Sequence, residues 1–218
     1  MSCSKLIYKI KIAVALLVFL PASWAEVANF EAAKKLLKQQ VGHDTKTLYC
    51  GCAIKKVGKE LKPDAKSCGY VPRKPITKSG LPNVRATRIE WEHIVPAWEF
   101  GHQLQCWQQG GRANCRKKSE KFRLMEADIN NLAPAIGEIN GDRSNFRFGM
   151  LSQPADQYGQ CQVKIDFKQR VVEPPLASRK QIAEAYFYMQ KTYQLKISDK
   201  QQKLFNVWAG LEANPNLL

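Results

Sequence analysis

The chain has 218 residues, 44% apolar and 10% aromatic, and carries 34 Lys and Arg against 19 Asp and Glu, a formal charge of +15. Such an apolar content excludes a disordered chain, and the length bounds it to one domain or at most two. The charge narrows the partners to nucleic acid, an anionic membrane surface or an acidic polysaccharide, with a merely soluble basic surface as the plain alternative.

Residues 1–25 read as a secretory signal. Lys5, Lys9 and Lys11 form a basic start, Ile12 to Leu20 is an uncharged apolar run, Pro21 breaks it, and Ser23 and Ala25 place small residues before a cut after Ala25. The apolar run is too short for a bilayer, which takes about 20 residues, and no later segment is longer. The expected mature chain, residues 26–218, is therefore one domain without a membrane span. It loses three lysines and no acid, leaving 31 basic against 19 acidic residues.

A helix is predicted over 29–41: Asn29 caps it, Phe30, Ala33, Leu37 and Val41 share a face, and Gly42 ends it. Residues 46–54 read as a short strand, and 55–85, rich in Lys, Gly and Pro, as loop. A strand is predicted over 87–95, before Pro96. Cys106 to Cys115 brackets a Gly-rich loop. Ser119 caps a helix to about Asn130, Leu132 to Pro134 is short enough only for an edge strand, and Ile136 to Asn145 is a short helix. From Cys161 the chain alternates, with Cys161, Val163, Ile165 and Phe167 facing one way. After Pro174-Pro175 a long helix runs to about Leu195, and Ser198 and Gln201 mark the start of a last one through Trp208.

Cys3 departs with the signal, and Cys50, Cys52, Cys68, Cys106, Cys115 and Cys161 remain. An even number in an exported chain reads as three disulfides. Cys106 and Cys115 are the easiest pair to join. Cys50 and Cys52 point to opposite faces and bond elsewhere, with the partners among the other cysteines left open. A zinc site is disfavoured, because no C-x-x-C pair and no suitably spaced histidine exists.

Chemistry concentrates in two places. Glu90, Glu92 and His93 interrupt an otherwise apolar strand, with both carboxylates on one face and the imidazole on the other. The alternative is an amphipathic edge strand with a satisfied histidine. His43 and His102, beside glycines, read as surface or structural residues. Met125 to Phe148 then packs Glu126, Asp128, Asn130, Asn131, Glu138, Asn140, Asp142, Arg143 and Asn145 into one stretch, where an Asn carbonyl beside a carboxylate suits a hard cation.

The order Glu92-His93, then Gly110-Gly111-Arg112, then Met125-Glu126-Ala127-Asp128, then Gly141-Asp142-Arg143-Ser144-Asn145-Phe146 resembles the bacterial periplasmic endonuclease I family of ββα-metal, or His-Me finger, nucleases. The likeness runs from Tyr49 to Pro175 through most of the mature chain. It implies an α+β single domain around a ββα-metal core, disulfide-stapled, with flanking helices. It also implies an Mg²⁺-dependent endonuclease, with Mn²⁺ substituting, that cuts DNA and RNA without regard to sequence and leaves 5′-phosphates. His93 is then the general base, Glu92 and Asn140 the metal ligands, Arg112 the phosphate-steadying arginine, and Glu126 an acidic support near the metal. A Cys106–Cys115 bridge is expected to position Arg112, so that reduced protein is inactive. A monomer in the periplasm or outside the cell is expected. The family's further basic, cysteine-bearing tail is not matched here, where the sequence ends Asn214-Pro215-Asn216-Leu217-Leu218. Two rivals are a catalytically inactive nucleic-acid-binding protein on the same scaffold and a cationic envelope protein.

Overall fold

The computed structural model describes residues 28–211; the signal segment expected over 1–25 lies outside them. Helix α1 (Phe30–Gln40) starts where Asn29 accepts a hydrogen bond from the Ala32 N–H at 3.0 Å. Its Ala33 is fully buried against Ala127 and Leu132, with Phe30, Leu37 and Trp91 packed around them. A hairpin, β1 (Ile54–Val57) and β2 (Glu60–Pro63), follows and leads to β3 (Ile89–His93). Four helices come next: α2 (Ala97–Gly101), α3 (Gln105–Gln108), α4 (Gly111–Lys118) and α5 (Glu120–Ala127). Strand β4 (Leu132–Ile136) pairs antiparallel with β3, Glu92 opposite Ala133 and His93 opposite Leu132, and the chain turns directly into α6 (Gly137–Arg143). Strands β5 (Arg147–Phe148), β6 (Lys164–Asp166) and β7 (Val171–Glu173) make a three-stranded sheet in the order β5-β7-β6. Helices α7 (Leu176–Tyr193) and α8 (Asp199–Trp208) close the fold, so that the architecture is α+β, eight helices with small sheets among the described residues.

The main core lies between these last helices and the β5-β7-β6 sheet. Phe148, Tyr186, Phe205 and Trp208 meet there, mostly edge to face, with ring centroids 4.2–6.5 Å apart. Ser198 caps α8 as its sequence predicts, but Gln201 reaches the Phe148 carbonyl and ties α8 to β5. Among the described residues no helix is long and apolar enough to cross a membrane.

Three disulfides staple the domain: Cys50–Cys161, Cys52–Cys68 and Cys106–Cys115. Cys50 and Cys52 do diverge. The first bridge closes 111 residues of chain and so restricts the unfolded state most, by about 5 kcal/mol on a chain-entropy basis.

Several expectations are corrected. Residues 46–53 make one isolated bridge, Lys46 to Ala53, around a turn at 48–50, and of the expected strand only Ile54 is one, as the first residue of β1. The Thr47 hydroxyl accepts from the Cys52 N–H, and Gly51 sits at φ 66°, which a strand does not allow. The loop expected over 55–85 contains the β1–β2 hairpin, whose Lys and Glu side chains are solvated and so lack alternation. The Cys106–Cys115 stretch is α3 and α4 turning at Gly110-Gly111, not an open loop. Helix α5 ends at Ala127, because the Asp128 side chain accepts from the Asn130 N–H and starts a new 3-10 turn. Phe167 is 41% exposed, since β6 stops at Asp166 and the chain turns.

Candidate active site

Glu92, His93, Arg112 and Asn140, distant in sequence, line one cleft of about 540 Å³, together with Phe30, Lys34, Arg85, Arg88, Glu90 and Arg143. Strand β3 supplies the first pair, α4 supplies Arg112, and α6 returns Asn140. Glu126 is not part of the cleft lining and stands behind it.

The end of β3 is held tightly. Asn131, fully buried, accepts from the Val95 N–H through Oδ1 at 2.7 Å and donates its Nδ2–H to the Val95 carbonyl at 2.9 Å. Arg143, 1% exposed, donates to the His93 carbonyl at 2.9 Å and the Ile94 carbonyl at 2.7 Å, and pairs with Glu92 Oε1 at 2.9 Å. Tyr49 donates its hydroxyl to the same Oε1 at 2.7 Å. Burial pushes the Glu92 carboxyl upward, and the Arg143 guanidinium opposes this without cancelling it. Both bonds fall on one oxygen of a carboxylate that lines the cleft.

His93 is 8% exposed, and its Nε2 lies 2.8 Å from the Glu126 carbonyl. A carbonyl only accepts, so Nε2 carries the proton and Nδ1 keeps the lone pair. Phe30 packs on the imidazole with centroids 4.6 Å apart. Burial pushes the ring down to about 4, so at neutral pH it is an uncharged base.

Glu126 organises the opposite wall. Its carboxylate, 2% exposed, accepts from Arg112 Nε at 2.5 Å and from Arg116 Nε at 2.8 Å. Burial pushes this carboxyl up, but the bonds from Arg116 and Arg112 overcome it and hold it below the usual range. One residue thus fixes the His93 tautomer through its backbone and Arg112 through its side chain. Arg112 remains 40% exposed on the cleft wall, where its planar fork suits a phosphate.

Among the described residues no cluster of three or more His, Cys, Asp or Glu side chains could hold a metal. A cation in this cleft can draw one carboxylate oxygen from Glu92 and the amide oxygen of Asn140, whose Nδ2 is turned to Glu90 Oε2 at 2.9 Å. An all-oxygen pair completed by water and substrate fits Mg²⁺ or Mn²⁺ rather than a softer metal. His43 is exposed, and His102 donates to the Trp98 carbonyl and stacks on its indole at 4.1 Å, both away from the cleft.

Sequence reasoning assigned no role to Phe30, Tyr49, Asn131 or Arg143. Arg143 and Asn131 stood in the polar stretch 125–148, which was the available signal. Phe30 read only as part of the apolar face of the first helix, and Tyr49 only as the start of the stretch of family likeness.

A strand ending in histidine, an antiparallel partner and a helix bringing an asparagine to the same cleft make a ββα unit of the His-Me finger type. The Endonuclease I family model matches residues 28–211. An extracellular deoxyribonuclease of Aeromonas hydrophila is 51% identical over 91% of this chain and 84% of its own length. A periplasmic deoxyribonuclease of the same organism is 52% identical over 88% and 78%. Endonuclease-1 of Buchnera aphidicola is 48% identical over 84% and 70%. This chain belongs to the endonuclease I family.

Proposed function

We propose that this protein is an exported, sequence-indifferent endonuclease that hydrolyses phosphodiester bonds of DNA, and of RNA, with one Mg²⁺ or Mn²⁺ held by Glu92 and Asn140. The observation that carries the reading is the His93 Nε2–H bond to the Glu126 carbonyl, which leaves Nδ1 as the proton acceptor of the ring, on a residue that lines one cleft with Glu92, Asn140 and Arg112. When bound, the cation offsets negative charge that gathers on the phosphate and on the departing 3′ oxygen.

His93 Nδ1 takes one proton from water as the water oxygen bonds to phosphorus. The phosphorus–O3′ bond breaks, O3′ leaves with its electron pair and is protonated from solvent, and a 5′-phosphate remains. Arg112 steadies the phosphate oxygens. Lys34, Arg85 and Arg88 along the cleft add phosphate attraction that carries no base information. The names of the extracellular and periplasmic relatives support export and action on DNA. A monomer is the expected form.

Supercoiled plasmid incubated with wild type and His93→Ala, each with Mg²⁺ and with chelator, tests this. Nicking by wild type with Mg²⁺ alone is expected, with His93→Ala folded, DNA-binding and at least 100-fold slower. Undiminished nicking by His93→Ala, or by wild type in chelator, rejects the mechanism.

A further inference from the structure

Glu90 lies two residues before Glu92, lines the same cleft and has no part in the mechanism above. It looks like a second metal ligand, but its oxygens are already taken. Oε1 accepts from Arg85 Nε at 2.9 Å, Arg88 Nε at 2.8 Å and Arg88 Nη2 at 2.5 Å. Oε2 accepts from Arg85 Nη2 at 2.5 Å and Asn140 Nδ2 at 2.9 Å. A carboxylate with about four lone-pair positions has little left for a cation. The two bonds to Glu92 both fall on Oε1.

The helix that carries Asn140 is cut to admit this arrangement. Gly137 and Gly141 stand one turn apart in α6, where glycine is an unfavourable helix residue. A Cβ on Gly137 would come within 2.9 Å of the Glu90 carboxylate and 2.8 Å of the Arg85 carbonyl. A Cβ on Gly141 would come within 2.7 Å of the Arg85 Cζ. The two glycines leave a notch on either side of Asn140 in which Glu90 and Arg85 lie against the helix.

A primary amide has two faces, and only its oxygen can bind a cation. The carboxylate of Glu90 only accepts, so it captures the NH₂ end and leaves Oδ1 on the other side. We propose that Glu90 is a positioning residue that fixes the Asn140 amide with Oδ1 toward the cation, itself locked by Arg85 and Arg88 in the Gly137–Gly141 notch. This rests on the reading of Asn140 as a ligand. Without Glu90 the amide turns freely and presents its NH₂ to the cation part of the time.

The test is Mn²⁺ binding by electron paramagnetic resonance on the full chain without nucleic acid. It compares Glu90→Ala, Asn140→Ala and the double variant, each checked for fold by circular dichroism. Glu90→Ala is expected to weaken Mn²⁺ binding about tenfold, the usual scale for a residue that orients a ligand. In the Asn140→Ala background the same change is expected to add less than about twofold, because the two act as one unit. Multiplying effects would make Glu90 an independent ligand and overturn the proposal, as would wild-type affinity in Glu90→Ala. Wild-type affinity in Asn140→Ala would remove the ligand assignment itself, and the proposal with it. Should Glu90→Ala not fold, Glu90→Gln keeps an oxygen for the Asn140 N–H. It is expected to bind Mn²⁺ more tightly than Asn140→Ala, and equal loss in the two refutes the proposal.

Discussion

Replacing Arg143 with Met tests how the cleft floor is held. The side chain is buried, pairs with Glu92 Oε1 and donates to the His93 and Ile94 carbonyls. Met fills much of the same volume but leaves a buried carboxylate with only Tyr49 as a partner, together with two backbone carbonyls that lose their donor. Breaking a buried pair on one side costs about 3–5 kcal/mol. At about 2–4 °C per kcal/mol for a chain of this size, the melting temperature should fall by roughly 6–20 °C at pH 7. The sign of the pH dependence follows from Glu92, whose carboxyl is already raised by burial and loses its main opposing charge. A carboxyl raised in the folded state adds stability below its unfolded value and loses it as pH climbs through the folded one. The deficit of Arg143→Met should therefore shrink between pH 7 and pH 5. A double variant, Arg143→Met with Glu92→Gln, should recover part of the loss, since no buried charge is stranded. Thermal unfolding by circular dichroism at both pH values reads all of this. A shift below about 3 °C at pH 7, or a double variant less stable than the single, would refute the reasoning.

Glu126→Gln should slow plasmid cleavage about tenfold or more by freeing Arg112 and Arg116, while the His93 bond to the backbone carbonyl persists; unchanged kcat/KM counts against the role. Cys106→Ser with Cys115→Ser unties α3 from α4 and should lower kcat with little change in the global fold, and full reduction of the wild type should do at least as much; equal rates in oxidised and reduced protein reject the link between the bridge and Arg112. His93, depressed to about 4 in the folded protein, takes up a proton more readily when unfolded, so wild-type stability should drop as pH falls from about 6.5 toward 4, by up to about 3 kcal/mol. Denaturant unfolding of His93→Gln should lack that part of the slope, and an identical profile contradicts it.

The sequence made the chemistry of β3 readable because Glu92 and His93 adjoin at a strand end before Pro96, and the order of motifs pointed to a ββα unit. The helices with clean caps, such as α1 behind Asn29 and α8 behind Ser198, were equally plain. What stayed hidden depended on tertiary placement. Arg143 reads as one polar residue among many in the 125–148 stretch, yet α6 carries it beneath the end of β3, where Glu92 and two carbonyls receive it. Tyr49 carries no role in the sequence beyond opening the stretch of family likeness, and only the fold brings its hydroxyl to Glu92. The bond from His93 to the Glu126 backbone leaves no trace in residue types at all. The β1–β2 hairpin was missed because solvated Lys and Glu erase its alternation, and α4 because Gly110-Gly111 looks like an open loop but turns one helix into the next. Gly141 looks like a weak point of its helix until Arg85 is seen lying against it.

The most direct measurement is anomalous diffraction from a crystal of the protein soaked with Mn²⁺ and bound to a short DNA duplex. An Mn²⁺ peak within about 2.3 Å of a Glu92 oxygen and of Asn140 Oδ1 is expected, with His93 Nδ1 about 3 Å from a water facing the phosphorus. A peak elsewhere, or an imidazole that turns Nδ1 away from any water near the phosphate, would contradict the account.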